Sequence, residues 1–161
     1  MLFLVVQLYN VIKIKIIKRI FFMKENYIHI YNNLIELTRN KNLYKDFNNQ
    51  DIFSDRLTYF LMHFAFFFKV FKSKENKLVL QEIYDFCFKQ LELSIREIGY
   101  GDQSINKKMK DYINLFHAMI DEFHFWEDLK ETDKIEILKK FAINCNNTPL
   151  LLDYMEKYLK D

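Results

Sequence analysis

Apolar residues recur at intervals of three and four along most of the chain, and each stretch that keeps this rhythm predicts a helix. From Lys24 to about Asn42 the marked face is Ile28, Tyr31, Leu34, Ile35 and Leu37. A polar loop from Lys45 to Ser54, rich in Asn and Asp, follows, with Ser54 placed to cap the next helix. Leu57–Phe71 then departs from the amphipathic pattern: it is apolar almost all round, interrupted only by Thr58, His63 and Lys69. Such a helix belongs at the centre of a core, or else exposes a greasy surface to a client or a membrane. It is too short to span a bilayer, which takes roughly 20 apolar residues.

The charged break Ser73–Lys77 separates this element from a helix over about Leu78–Ile98, whose stripe is Ile83, Cys87, Leu91, Ser94, Ile95 and Ile98. Gly99 is placed to end it, because glycine tolerates the left-handed conformation that closes helices. Gly101 is expected to relieve the bend, and Asp102 or Ser104 to cap the helix over about Ile105–Glu127, with Leu115, Met119, Ile120, Phe123 and Trp126 on its buried side. Asp133 and Glu136 form a capping-box spacing that opens a helix to about Asn144. Thr148-Pro149 reads as an N-cap followed by proline at the first helical position. The last helix carries Leu151, Leu152, Met155, Tyr158 and Leu159. The expected fold is all-α, a single-domain bundle of about six helices.

Composition agrees. With 2 Gly and 1 Pro in 161 residues there is little material for the turns of a hairpin-rich fold. Hydrophobic residues make up 50%, with 17 Phe and 10 Tyr, which is ample for a core and excludes disorder. The net charge of +2 is unevenly spread. Residues 1–23 hold Lys13, Lys15, Lys18 and Arg19 and no acid, so the remainder is mildly acidic and poorly suited to bind nucleic acid in general. Residues 1–22 form an apolar and basic extension, set apart from a domain over 23–161. Its apolar run is too short for a span, and its charges follow that run rather than preceding it as in a signal peptide. An interfacial membrane segment and an untranslated read-through upstream of Met23 stay open.

A search for chemistry returns little. Cys87 and Cys145 are isolated thiols that form neither a disulfide framework nor a zinc site. Asp121 and His124 give one D-x-x-H spacing, whereas a di-iron bundle needs two such motifs and two further carboxylates. His63 has no Ser or Cys placed to complete a triad. It is expected to hydrogen-bond a backbone group or a neighbour such as Asp85 and so fix helix packing. Glu92 and Arg96, four apart, can pair along their helix. Lys107, Lys108 and Lys110 sit near a helix N-terminus, against the dipole, which suggests a solvated face or a partner. No enzyme, cofactor or metal is expected.

The order of these features resembles the ubiquinol–cytochrome c chaperone family. Arg39, Leu43-Tyr44, Asp55-Arg56 and Met62-His63 look like its first half. Gln81 to Asp85, Ile95-Arg96-Glu97-Ile98-Gly99-Tyr100-Gly101-Asp102 and Lys107-Lys108-Met109-Lys110 look like its second. The similarity covers about residues 25–146. It departs from the family pattern where a Tyr-Gly-Arg group is replaced by Phe116-His117-Ala118.

The resemblance implies a non-enzymatic assembly chaperone for cytochrome b and the cytochrome bc1 complex. Its implied partners are unassembled cytochrome b, a second small assembly factor and the ribosome, with peripheral contact to the inner membrane. That places it in the cytoplasm of a bacterium or on the matrix side in a eukaryote. The implied partner-binding residues are Tyr44, Arg56, His63, Phe67, Arg96, Glu97, Tyr100, Asp102, Lys107, Lys108 and Lys110. From another class, the Phe cluster alone allows a helical module enclosing an apolar small molecule such as a lipid, quinone or haem, which requires an enclosed cavity of several hundred Å³.

Overall fold

The computed structural model describes residues 26–44 and 52–159. The apolar and basic extension 1–22 and most of the polar loop after Tyr44 lie outside them. The chain divides into two compact units, Met1–Asn33 and Leu34–Asp161. In the first, residues 26–33 are helical. In the second, residues 34–38 are helical and form α1. The second unit then holds a 3-10 turn at Lys41–Tyr44, α2 (Phe53–Phe71), α3 (Lys77–Glu97), α4 (Asp102–Phe123), a 3-10 turn at Trp126–Asp128, α5 (Glu131–Phe141) and α6 (Thr148–Tyr158). Among the described residues there are six α-helices and no strand, as the periodicity predicts.

α2 is the central helix. Leu61, Met62, His63, Phe64, Ala65 and Phe66 are each 0% exposed, consecutive residues that point in every direction around the axis. Burial on all sides requires neighbours on all sides, and aromatic contacts identify them. Phe64 stacks on Phe116 of α4 at 4.9 Å and lies 6.3 Å from Phe88 of α3. Phe66 stacks on Phe123 at 4.1 Å and meets Trp126 edge-on at 5.0 Å. His63 faces Tyr154 and Tyr158 of α6, with ring centroids 5.6 and 4.9 Å apart. Tyr59 meets Tyr44 of the first 3-10 turn at 5.5 Å. The three consecutive phenylalanines diverge as a helix demands. Phe66 turns to α4, Phe68 to Tyr84 and Phe116, and Phe67 outward along α2 to Phe71.

The pairs also fix direction. Phe64 with Phe88 and Phe68 with Tyr84 run antiparallel, whereas Phe64 with Phe116 and Phe66 with Phe123 run parallel. The C-terminus of α2, the N-terminus of α3 and the C-terminus of α4 therefore share one pole of the bundle. The α3–α4 elbow and the start of α2 share the other. α5 and α6 close the remaining side through Phe123–Phe141 and through Glu156. Its Oε1 accepts from Trp126 Nε1 at 3.0 Å and from Lys134 Nζ at 2.7 Å.

Several local expectations shift by a residue or a face. Ile52, not Ser54, is the N-cap of α2, and it makes no side-chain cap; Ser54 sits in the first turn, where its carbonyl accepts from Thr58. Lys130 precedes α5, so Asp133 lies inside the first turn rather than capping it. The cap of α6 is Asn147, whose side chain accepts from the Leu150 amide at 3.2 Å. α4 ends at Phe123, and Phe116 rather than Leu115 is its buried aromatic. Ile28 and Ile98 are exposed. Gly99 does close α3, with φ +98°. Gly101 holds an ordinary extended φ of −73° as the N-cap of α4, with open space where a Cβ would stand, so the bend does not require glycine there.

The two glycines therefore respond differently to alanine. Gly99→Ala forces a side chain into the left-handed half of the map and destabilises by about 1–2 kcal/mol, whereas at Gly101 the loss of a favoured N-cap residue is offset by a stiffer unfolded chain, leaving a change of about 0.5 kcal/mol or less. Paired urea denaturation curves check this, and equal losses would contradict the elbow geometry.

Deleting a core ring is costlier. Phe66→Ala removes the stack on Phe123 and Trp126 and lowers stability by about 3–5 kcal/mol, read from the same curves.

Candidate functional site

The elbow between α3 and α4 gathers most of the polar residues singled out in the sequence. Arg96, in the last turn of α3, is the hub. Its Nε and Nη2 donate to Glu92 Oε1 at 3.0 and 2.8 Å, one helical turn back. Its Nη1 donates across the elbow to Asp102 Oδ1 at the first position of α4. One guanidinium fork thus ties the end of one helix to the start of the next, which a lysine could not do bidentately. Arg96, then Lys89, hold the Glu92 carboxyl below its usual range. Asp102 is also a favourable charge at a helix N-terminus.

Tyr100 lies outside the bend, and Lys108 Nζ stands over its ring, 4.5 Å from the centroid. That cation–π contact relieves part of the conflict between Lys108 and the helix dipole. Glu97, Lys107 and Lys110 are exposed. Lys110 also borders an open groove of about 550 Å³ between α3 and α4, with Tyr84, Phe88, Met109 and Ile113 on its floor and Asp85 and Glu92 across from it. The antiparallel register of α2 and α3 puts Arg56, in the first turn of α2 and exposed, at this same pole. Phe67 belongs to the opposite pole.

Tyr44 and His63 are interior. The Tyr44 hydroxyl donates to the Thr38 carbonyl at 2.5 Å, clamping the 3-10 turn to the end of α1. His63 Nδ1 lies 2.6 Å from the Tyr59 carbonyl and Nε2 lies 2.9 Å from the Tyr154 hydroxyl. The backbone bond follows the expectation; the Asp85 partner does not. Asp85 is on the outer face of α3, where it accepts from Gln81 at 2.9 Å, so His63 and Asp85 do not meet in a cleft. Burial pushes the His63 pKa down to about 4, against the opposing effect of the Tyr59 carbonyl. Cys87 is buried among apolar groups, and burial pushes its thiol up to about 12, far from a reactive thiolate. Burial foremost, then the neighbouring Cys145 thiol, raises the Tyr59 hydroxyl.

Among the described residues no three His, Cys, Asp or Glu groups converge on a metal position, and Asp121 and His124 do not form part of one. The phenylalanine cluster that suggested an enclosed ligand is packed against itself around Phe64. A second cavity of about 380 Å³ lies between the first 3-10 turn and α6, lined by Leu43, Cys145, Leu150, Leu151 and Tyr154, and it opens to the surface.

Sequence patterns did not reveal three structural ties. Glu156 under Trp126 joins elements 30 residues apart, Asn144 donates to the buried Asp55 at 2.8 Å across 89, and Tyr154 reaches His63 across 91. No local spacing signals such pairs. The departure at Phe116-His117-Ala118 is partly conservative: Phe116 is a fully buried aromatic, His117 lies at the surface with Nε2 3.4 Å from the Tyr84 hydroxyl, and Ala118 supplies no charge.

The described residues thus form a helical bundle in which His63, Tyr44 and Glu156 act as ties between elements, and in which the α3–α4 elbow gathers exposed charge around Arg96. The sequence pattern of the ubiquinol–cytochrome c chaperone family matches residues 45–129, just over half of the chain and all of α2, α3 and α4. The chain belongs to that family. The match is narrower than the span of about 25–146 noted above, since it leaves out α1 and α5, and α6 lies outside both. No curated protein and no solved structure matches it.

The buried His63 generates a pH prediction. It stays neutral in the fold down to about pH 4, whereas in the unfolded chain it takes up a proton near 6.5. Below about pH 6.5 the unfolded state binds the extra proton, so stability is full above that point and falls as pH drops towards 4. The loss is about 3 kcal/mol over the window. His63→Gln removes this part of the acid slope, read from denaturation midpoints at successive pH values; an unchanged slope would refute the assignment.

Proposed function

We propose that this protein is a non-enzymatic assembly chaperone for the cytochrome bc1 complex, with unassembled cytochrome b as its client. The observation that carries the reading is the family match over 45–129. The matched region contains the elbow, where Arg96 ties exposed charge from two helices into one constellation. Cytochrome b is a hydrophobic membrane protein with charged loops. A chaperone for it needs a surface that recognises those loops until the partner subunits take over. The elbow suits this task. Its shape is held by Arg96 and Gly99, and it offers Tyr100, Lys107, Lys108 and Lys110 with Arg56 nearby, groups that give docking its orientation and rate.

The acidic Glu97, Glu92 and Asp102 break up this positive charge, so a segment of mixed sign fits better than a polyanion. A second small assembly factor and the ribosome are further partners on this reading. It also places the protein at the inner membrane on the side where cytochrome b is made, and accords with the finding that no described helix is long and apolar enough to cross a membrane.

Deleting the gene is expected to lower cytochrome b and the assembled bc1 complex while sparing other respiratory complexes, measured by haem spectra and native gels. Reintroduced wild-type chain restores both. Arg96→Glu combined with Lys107→Glu and Lys108→Glu does not, although the purified variant keeps its helical circular dichroism. Normal bc1 content in the deletion strain would sink the proposal, and full rescue by the elbow variant would move the client site elsewhere.

A further inference from the structure

The pole opposite the elbow carries a second surface. α2 ends there, α3 begins there and α4 ends there, held by Lys69, whose Nζ donates to the His124 carbonyl at 3.0 Å and pairs with Glu127 at 2.5 Å. Asn76 folds the connecting turn back by donating to the Phe71 carbonyl at 3.2 Å. On this frame stand the apolar side chains Val70, Phe71, Leu78 and Phe125, which are 57%, 50%, 78% and 62% exposed. They are too large and too close together to be the scattered apolar residues of an ordinary surface. Lys72, Lys74 and Lys77 lie among them, all exposed, and Glu75 is the single acid between residues 70 and 78. Lys69 is engaged with α4. On the Phe125 side, Glu127 is matched by Lys69 and Glu122 by Lys140, and Asp121 and Asp128 are the other nearby acids.

We propose that this pole docks on the surface of an anionic phospholipid bilayer. Phe71, Val70, Leu78 and Phe125 would enter the interfacial layer, and Lys72, Lys74 and Lys77 would meet the headgroup phosphates. Charge complementarity selects this occupant. Lysines of one sign interleaved with protruding apolar side chains match a flat, negatively charged, apolar-backed surface. The four side chains also protrude from helix ends and a turn rather than lining a cleft. Neither the groove bordered by Tyr84 and Met109 nor the cavity lined by Leu43 and Tyr154 involves them. The inference names a surface and a lipid chemistry, and it stands whether or not cytochrome b is the client.

The test is flotation of the purified full-length chain with vesicles of phosphatidylcholine alone or mixed with phosphatidylglycerol. The wild-type chain is expected to float with the anionic vesicles only, and to release as salt rises. Lys72→Glu with Lys74→Glu and Lys77→Glu should weaken the binding by about a hundredfold, at about fivefold or more per lysine. Phe71→Ser with Leu78→Ser should weaken it at least tenfold at unchanged charge. All five sites are exposed, and the single tryptophan, Trp126, reports on the fold of each variant by fluorescence.

A control, Lys107→Glu with Lys108→Glu and Lys110→Glu, alters the opposite pole and should bind as wild type. Failure to float with anionic vesicles would overturn the proposal. So would equal binding to neutral ones, wild-type binding by both tip variants, or an equal loss in the elbow control. None of these outcomes depends on bc1 levels, so the two proposals can fail separately.

Discussion

The surrounding of α2 by its neighbours is the constraint on which the rest of the bundle depends. From Leu57 to Phe66 nearly every side chain is large and apolar, and a helix turns by 100° per residue, so no single face can hold them. The free energy of removing that surface from water is recovered only if α3, α4, α6 and the 3-10 turn at Lys41–Tyr44 all close around it. Each supplies aromatic partners for the purpose: Phe88 and Tyr84, Phe116 and Phe123, Tyr154 and Tyr158, Tyr44. The short helices α5 and α6 are fastened to this core through Trp126, Glu156 and Lys134, where a charged pair and an indole N–H meet at one carboxylate oxygen.

His63 shows what such a position demands of a polar residue. In the middle of an apolar helix an imidazole must find a partner for both nitrogens or leave one of them desolvated at a cost of about 1–3 kcal/mol. One nitrogen is met by the carbonyl a turn earlier and the other by Tyr154. The histidine therefore fixes the register of α6 against α2, a specificity that apolar contacts alone impose weakly. A neutral ring is also the only form the site accepts, which makes the residue unsuited to proton transfer near neutral pH. The same holds for Cys87, whose thiol burial keeps protonated.

Much of this was legible in the chain, and what was not has identifiable causes. Helices, their order and the central place of Leu57–Phe71 follow from periodicity and from the scarcity of Gly and Pro, signals that extend over many residues. Caps were less legible because Ser54, Asp133 and Thr148 each carry a suitable side chain one to three positions after the true N-cap, and a hydroxyl or carboxylate in the first turn looks the same in sequence as one at the cap. Gly99 was read correctly because left-handed closure is close to a glycine monopoly. Gly101 was read as conformational only because it stood two residues away. The elbow residues came from resemblance to the family, and the geometry supplies a physical reason for one of them: Arg96 joins Glu92 to Asp102. It supplies a different reason for Tyr44 and His63, which are interior ties. The charged break at Ser73–Lys77 was taken for a plain connection. Its significance depends on Phe125, distant in sequence and brought alongside by the parallel packing of α2 and α4.

The two poles differ in a way that the packing itself explains. At the elbow the chain reverses within a few residues, so the helix ends are pressed together, Arg96 pairs with Glu92 and Asp102, and Lys108 rests over the Tyr100 ring. At the far pole the reversal from α2 to α3 passes through a lysine-rich turn, and α4 stops at Phe123 with its apolar continuation Phe125 left outside. Lys72, Lys74 and Lys77 cluster in that turn, and Val70, Phe71, Leu78 and Phe125 stand exposed at the same pole. A bundle that needed only to fold would bury or replace Phe71, Leu78 and Phe125, since each exposes surface that favours self-association. With helices about 30 Å long between the poles, a protein resting on a bilayer through one end would hold its charged elbow in the aqueous layer above it, where the loops of a membrane-embedded client emerge.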